Sequence, residues 1–252
     1  MDFCVNKYEL LIKVLIKNNI RIYSVRKWLE KTPDSGVIIR HDVDRRPQNA
    51  LKIAKLEANY NISTTYYFRI TKSSFKKKII EKIKKMGHEI GYHYEDLALQ
   101  KGNYHKAIKS FENNLKKFTP LADIKTIAMH GRPFSPYDSR DLWQKYNFKD
   151  FKLMGEAFLS IIYTDIFYFT DTGRTWSNSG ANLRDKVNSA KNRDVSTTDE
   201  LMDFLKNNKN NKTAIVSHPE RWASTKIEYF YILLQDTAIN ILKRIIIFIR
   251  KA

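Results

Sequence analysis

Short runs rich in β-branched and aromatic residues alternate along this chain with segments of helical spacing, and most of the runs stop at a histidine or an aspartate. Repeats of strand then helix build a parallel sheet covered by helices, because parallel neighbours need a crossover between them. The strand-like runs are Val37-Ile38-Ile39, Thr64 to Phe68, His88 to His93, Ile124 to Met129, Phe167-Tyr168-Phe169 and Thr213 to Ser217. Helical spacing marks Tyr8 to Asn18, Pro47 to Asn59, Ser73 to Met86, Asn103 to Phe118, Asp141 to Tyr146 and Thr197 to Leu205. Pro47 suits a first helical turn, Gly87 a C-terminal cap, and Thr197-Thr198-Asp199-Glu200 a capping box. The polar stretch Trp176 to Ser196 reads as a long surface loop. No linker divides the chain, so residues 1–252 are expected to form one α/β domain, barrel-like or open.

A hydrophobic content of 42% with 13% aromatics is enough for a substantial core and excludes a disordered chain. Cys4 is the only cysteine, which excludes an intrachain disulfide and a zinc site built on cysteines. Charge interrupts the apolar residues near the N-terminus, so no secretory signal is read and a cytoplasmic chain is expected. The formal charge is +18. Its lysines, as in Lys76-Lys77-Lys78 and Lys82-Ile83-Lys84-Lys85, fall on polar helix faces rather than between exposed aromatics, so no nucleic-acid partner is expected. Residues 226–251 have apolar positions at three- and four-residue intervals, from Ile227 to Ile249, with Lys243, Arg244, Arg250 and Lys251 near the end. This reads as an amphipathic helix, packed on the domain or making peripheral contact with a membrane surface or partner subunit.

Asp42 and Asp44 stand two apart after an apolar strand, so an extended backbone points both the same way. Paired carboxylates at a strand end suit a division of labour between cation binding and proton transfer. In Gly87 to His93, alternation puts Glu89, Gly91 and His93 on one face and His88 on the other. His93 is thereby a candidate metal ligand and His88 a structural hydrogen-bonding residue. His130 and His218 both end apolar runs, where barrel enzymes place catalytic groups.

Together Asp42-Val43-Asp44, Gly87-His88-Glu89-Ile90-Gly91, Arg132-Pro133 and Ile215-Val216-Ser217-His218 resemble the motifs of the polysaccharide deacetylase superfamily, the NodB-like family 4 carbohydrate esterases. The resemblance implies a distorted (β/α) barrel and hydrolysis of an N-acetyl group on an amino sugar, nucleotide- or lipid-linked or polymeric. It implies Asp42 as base, Asp44 and His93 as ligands of one divalent ion, and His218 as general acid. Zinc is the expected ion, with cobalt or nickel as alternatives. Arg132 would orient the base and Asp171 the acid, with Arg174 in reserve for a substrate anion. Trp176 and Tyr94, with Tyr92, Trp143 and Trp222, would offer faces for sugar rings. The segments Gly91-Tyr92-His93-Tyr94-Glu95-Asp96, Asp171-Thr172-Gly173-Arg174-Thr175-Trp176 and His218-Pro219-Glu220-Arg221-Trp222 resemble a subgroup associated with O-antigen or capsule biosynthesis.

One position departs from the pattern. The second metal histidine would fall on Leu97, which cannot ligate. His130 could replace it from the next strand end, and imidazole keeps the charge and softness of the site. Asp96, three residues after His93, could do so if that segment is helical. A third reading is a chain that has lost the ion and binds carbohydrate without catalysis.

Overall fold

In a computed structural model of the chain, every strand pairing within the sheet is parallel, and the strands curl into a half-barrel flanked by helices. The structure describes residues 1–176, 184–191 and 193–251, with side chains through residue 242. In chain order the elements are α1 (Val5–Lys17), β1 (Ile22–Tyr23), α2 (Val25–Lys31), β2 (Gly36–Val43), α3 (Pro47–Asn59), β3 (Thr65–Phe68), α4 (Lys77–Lys85) and β4 (Glu89–Tyr94). There follow α5 (Asp96–Leu99), α6 (Tyr104–Lys116), β5 (Thr126–Met129), α7 (Leu142–Lys145), β6 (Gly155–Glu156), β7 (Ile166–Thr170), α8 (Thr198–Asn207), β8 (Lys212–Ser217) and α9 (Lys226–Lys251). The sheet order is β6-β5-β4-β3-β2-β8-β7, with β1 beside the start of β2. Parallel alignment brings the C-terminal ends of β2, β4, β5, β7 and β8 to one rim.

The expected strands and helices form with shifted ends. Helix α4 begins at Lys77 rather than Ser73, because Ser74 and Phe75 close a turn onto the Thr71 carbonyl. Thr197 caps α8 through the Glu200 N–H, as the capping box requires. Elements β1, α2 and β6 went unread; the two strands are two residues each, too short for an alternation signal. Residues 177–183 and 192 of the expected loop lie outside the described residues.

Strand alternation sorts the core into layers. On β2, Val37, Ile39 and Val43 face outward to the helices, while Ile38, Arg40 and Asp42 face into the barrel. On β4, Ile90, Tyr92 and Tyr94 join the outer cluster around Phe111, and Gly91 and His93 face inward. A side chain at Gly91 would overlap the Tyr67 ring, which fills the barrel at that level. Glycine is what lets β3 and β4 share that space.

His41 and His88, also outward-facing, serve a buried polar network. The Glu57 carboxylate accepts from Tyr8 Oη at 2.6 Å, Tyr66 Oη at 2.6 Å and Thr64 Oγ1 at 2.8 Å, and lies 3.0 Å from His41 Nε2. Burial opposes its charge, yet His41 and these donors hold Glu57 down at about 2. A carboxyl with a depressed pKa stabilises the fold above its unfolded value, here 4.5, and loses that contribution as the pH falls through 2. Glu57→Gln is expected to destabilise the chain by about 2–3 kcal/mol at neutral pH, since a neutral amide leaves donors unmatched. Urea midpoints of both proteins at pH 7 and pH 4 should show the gap narrowing toward acid.

Candidate active site

Five strand ends converge on one cleft, lined by Asp42, Asp44, His93, His130, Arg132, Asp185, His218 and Arg221 among others. Asp42 is the penultimate residue of β2 and Asp44 follows it by two, so both reach the same side as the sequence spacing requires. Asp44 Oδ1 lies 3.4 Å from His93 Nε2 and 3.4 Å from His130 Nε2, and it is buried without a hydrogen-bond donor. The two imidazoles stand edge to face at 5.3 Å between ring centres.

Each histidine is oriented from behind. His93 Nδ1 is 2.9 Å from the Ala128 carbonyl oxygen, which can only accept, so Nδ1 bears the proton and Nε2 is the atom turned to Asp44. His130 Nδ1 donates in the same way to Glu95 Oε2 at 3.0 Å. Burial disfavours charge at Asp44, yet His130 and His93 hold its carboxyl well below the usual range. Burial likewise works against His130, and Asp44 and Glu95 outweigh it and raise its pKa. Among the described residues no group of three or more His, Cys, Asp or Glu side chains is placed, as it stands, to hold a metal ion. The trio meets pairwise through Asp44.

Glu95 was not singled out from sequence, and it is central. Its carboxylate accepts two hydrogen bonds from Arg69 Nη2, at 2.7 and 2.9 Å, and one from Arg69 Nε at 3.0 Å. It also accepts from Arg132 Nη1 at 3.2 Å. Burial would raise its pKa, but His130 and Arg69 hold it down at about 2.

The alternative ligand does not reach the cleft. Helix α5 begins at Asp96, whose carboxylate turns into the outer layer and accepts from Tyr92 Oη, Ser110 Oγ and Asn114 Nδ2 at 2.6 to 2.9 Å. Burial raises its pKa despite those bonds. Leu97 sits in the same apolar cluster as Phe111, 2% exposed.

Across the cleft, His218 and Asp171 form a tight pair. His218 Nδ1 donates to Asp171 Oδ1 at 2.6 Å, and the His218 backbone N–H donates to Oδ2 at 2.8 Å. Trp222 Nε1 donates to Oδ2 at 3.1 Å, so the carboxylate cannot rotate away. Burial disfavours the imidazolium, but Asp171 raises the His218 pKa to about 9. The raised value stabilises the fold fully below 6.5 and is lost as the pH rises through 9.

Three expected site residues lie elsewhere, and a fourth, Arg132, lines the cleft without its expected contact. Arg132 does not contact Asp42; it pairs with Glu95, and the guanidinium on Asp42 is that of Arg40, Nη2 to Oδ2 at 3.2 Å. Arg40 precedes Asp42 by two on the inner face of β2, where it lies over the Phe158 ring and 3.4 Å from Asp185. Arg174 does not enter the cleft. It lies between the Phe3 and Tyr229 rings, 3.6 Å from Asp236 on α9. Trp176 is wholly buried against Phe3 and Trp222, and its Nε1 donates to Thr198 Oγ1. Tyr94 is wholly buried too, accepting from Trp143 Nε1 at 2.8 Å. Neither ring offers a face to a sugar, because both are core packing of the outer layers. Tyr92 and Trp222 are buried in the same way.

No family model and no curated protein matches the chain. Among solved structures it is similar to a family 4 carbohydrate esterase from Bacillus anthracis, with 13% identity, 91% of this chain and 84% of that one covered, and a TM-score of 0.39. It is similar to a family 4 (CE4) esterase from Streptococcus mutans, with 13% identity, 88% of each chain covered and a TM-score of 0.44. A third is a CE4 family pseudoenzyme from Bacillus anthracis, with 11% identity, 75% and 69% covered and a TM-score of 0.39.

Proposed function

We propose that this chain is a metal-dependent deacetylase that hydrolyses the N-acetyl group of an amino sugar used in surface-polysaccharide assembly. The observation that supports the reading most directly is the convergence of Asp42, the Asp44–His93–His130 trio and the Asp171–His218 pair on one cleft. The surface-polysaccharide setting rests on the motif resemblance.

Three features of the donor set favour one divalent ion. Two donors about 2.1 Å from a tetrahedral centre lie about 3.4 Å apart, the separation of Asp44 Oδ1 from both imidazole nitrogens. The buried, unmatched Asp44 Oδ1 is the kind of atom an ion satisfies. Both imidazoles are held from Nδ1 by a carbonyl or carboxylate, as metal-ligating histidines are. Asp44, His93 and His130 would hold the ion, zinc by preference and cobalt or nickel otherwise. A bound ion supplies Lewis-acid polarisation of the acetyl oxygen and a lowered pKa for water.

The chain's own groups supply the proton transfers. Asp42, anchored at Oδ2 by Arg40, accepts the proton of the water that adds to the acetyl carbon. Asp171 orients His218 and keeps it charged at neutral pH, so the imidazolium delivers a proton to the amide nitrogen as the C–N bond breaks. Acetic acid and the free amine leave, equivalent to acetate and the ammonium form once the acid's proton passes to the amine, and the proton gained by Asp42 balances the one lost by His218.

Asp42→Asn is expected to lower kcat about a thousand-fold while divalent-ion binding persists. Elemental analysis with an acetate-release assay reads both, and retained turnover would remove Asp42 from the base role. Asp171→Asn should move the alkaline limb of kcat/KM from about 9 toward the ordinary imidazole value of about 6.5, because only protonated His218 serves as acid. Glu95→Gln should weaken ion affinity about 10- to 100-fold by loosening His130. Titration calorimetry with zinc would reveal it, and unchanged affinity would separate Glu95 from the site. A well-folded protein that takes up no divalent ion would favour the reading of a carbohydrate-binding chain without catalysis.

A further inference from the structure

We infer that the outward face of α9 docks this chain on an anionic lipid surface. Among its described side chains, those through residue 242, the helix is held by one side. Ile232 and Asp236 are buried, Asp236 meeting Arg45 at 3.2 Å, and Ile239 and Asn240 line a groove that adjoins the catalytic cleft. The opposite side presents Ile227, Phe230, Tyr231, Leu234, Ile241 and Leu242, between 51% and 85% exposed. Six large apolar side chains on one helical face exceed the scattering of single hydrophobics that a soluble surface tolerates.

Charge decides what covers that face. The two carboxylates of the described part of the helix are turned away from it. Asp236 is buried, and Glu228 accepts from the Ser224 N–H and from Asn49. Lys226 opens the helix, and its sequence continues through Lys243, Arg244, Arg250 and Lys251. An apolar face on a helix with basic residues in its sequence, and with no acid turned outward among its described side chains, is the pattern of a helix lying in an anionic interface. A second copy is the poorer occupant, because two chains of formal charge +18 repel each other. Among the described residues no helix is long and apolar enough to cross a membrane, so α9 would lie on the surface rather than span it.

The position of the helix gives the docking a purpose. Its inward side walls the groove that holds Asp44, His130 and Arg132, and Phe134, 62% exposed, lines the same groove from the β5 loop. Lipid contact would therefore place the entrance to the cleft beside the interface. This inference does not depend on the hydrolytic reading, and its test uses no turnover.

Flotation of the full chain with vesicles distinguishes the outcomes. Binding is expected to phosphatidylcholine vesicles containing phosphatidylglycerol, weakened by added salt, and not to phosphatidylcholine alone. Leu234→Glu combined with Ile241→Glu should lower the bound fraction about ten-fold. Both positions are exposed, so circular dichroism should be unchanged. Absence of binding to the anionic vesicles would overturn the inference. So would a dimer in sedimentation velocity that the same double substitution dissolves, which would assign the face to a second copy.

Discussion

One buried carboxylate, Glu95, sets the geometry on which the cleft depends. It follows β4 directly and accepts from Arg69, Arg132 and His130 at once, drawing the ends of β3, β4 and β5 together. A carboxylate only accepts, so it fixes which nitrogen of His130 bears the proton and therefore which nitrogen meets Asp44. Two arginines and an imidazole around one negative charge also leave that side of the groove short of anions. Removing Glu95 would leave cations facing one another in a partly buried space, which is far more costly than losing one hydrogen bond.

The period-two geometry of β2 explains how one strand serves both stability and chemistry. Its inward residues, Ile38, Arg40 and Asp42, lead from the barrel core to the cleft. Its outward residue His41 joins the Glu57 network beneath α1 and α3. A shift of register by one residue would exchange these sets and put Asp42 among tyrosines. Pairing with β3 on one side and β8 on the other excludes that shift.

Much of this was legible in the sequence because periodicity and strand-end polarity are local signals. The spacing of Asp42 and Asp44, the face of His93, and the placing of His130 and His218 follow from alternation and from where apolar runs stop. Arg40 follows the same rule, since it stands two before Asp42 and therefore shares its face. Glu95 and Arg69 were not legible, because their meeting depends on how β3 and β4 lie side by side. The aromatic residues misled for a related reason. Tyr94 and Trp176 stand within or near polar motifs, and only the packed layers reveal that both rings face the core. Asp96 shows the same limit, because helix α5 turns its carboxylate to α6 rather than to the cleft.

In the proposed reading His130 stands in for the ligand missing at Leu97, which has a consequence for how the site comes into being. Two donors one turn apart on a single helix can meet as soon as that helix forms. Here Asp44, His93 and His130 arrive from the ends of β2, β4 and β5, which are adjacent only once β3 lies between the first two. No fragment shorter than the stretch from Asp44 to His130, about a third of the chain, contains all three, so any cation gathered there would measure tertiary order and not local structure.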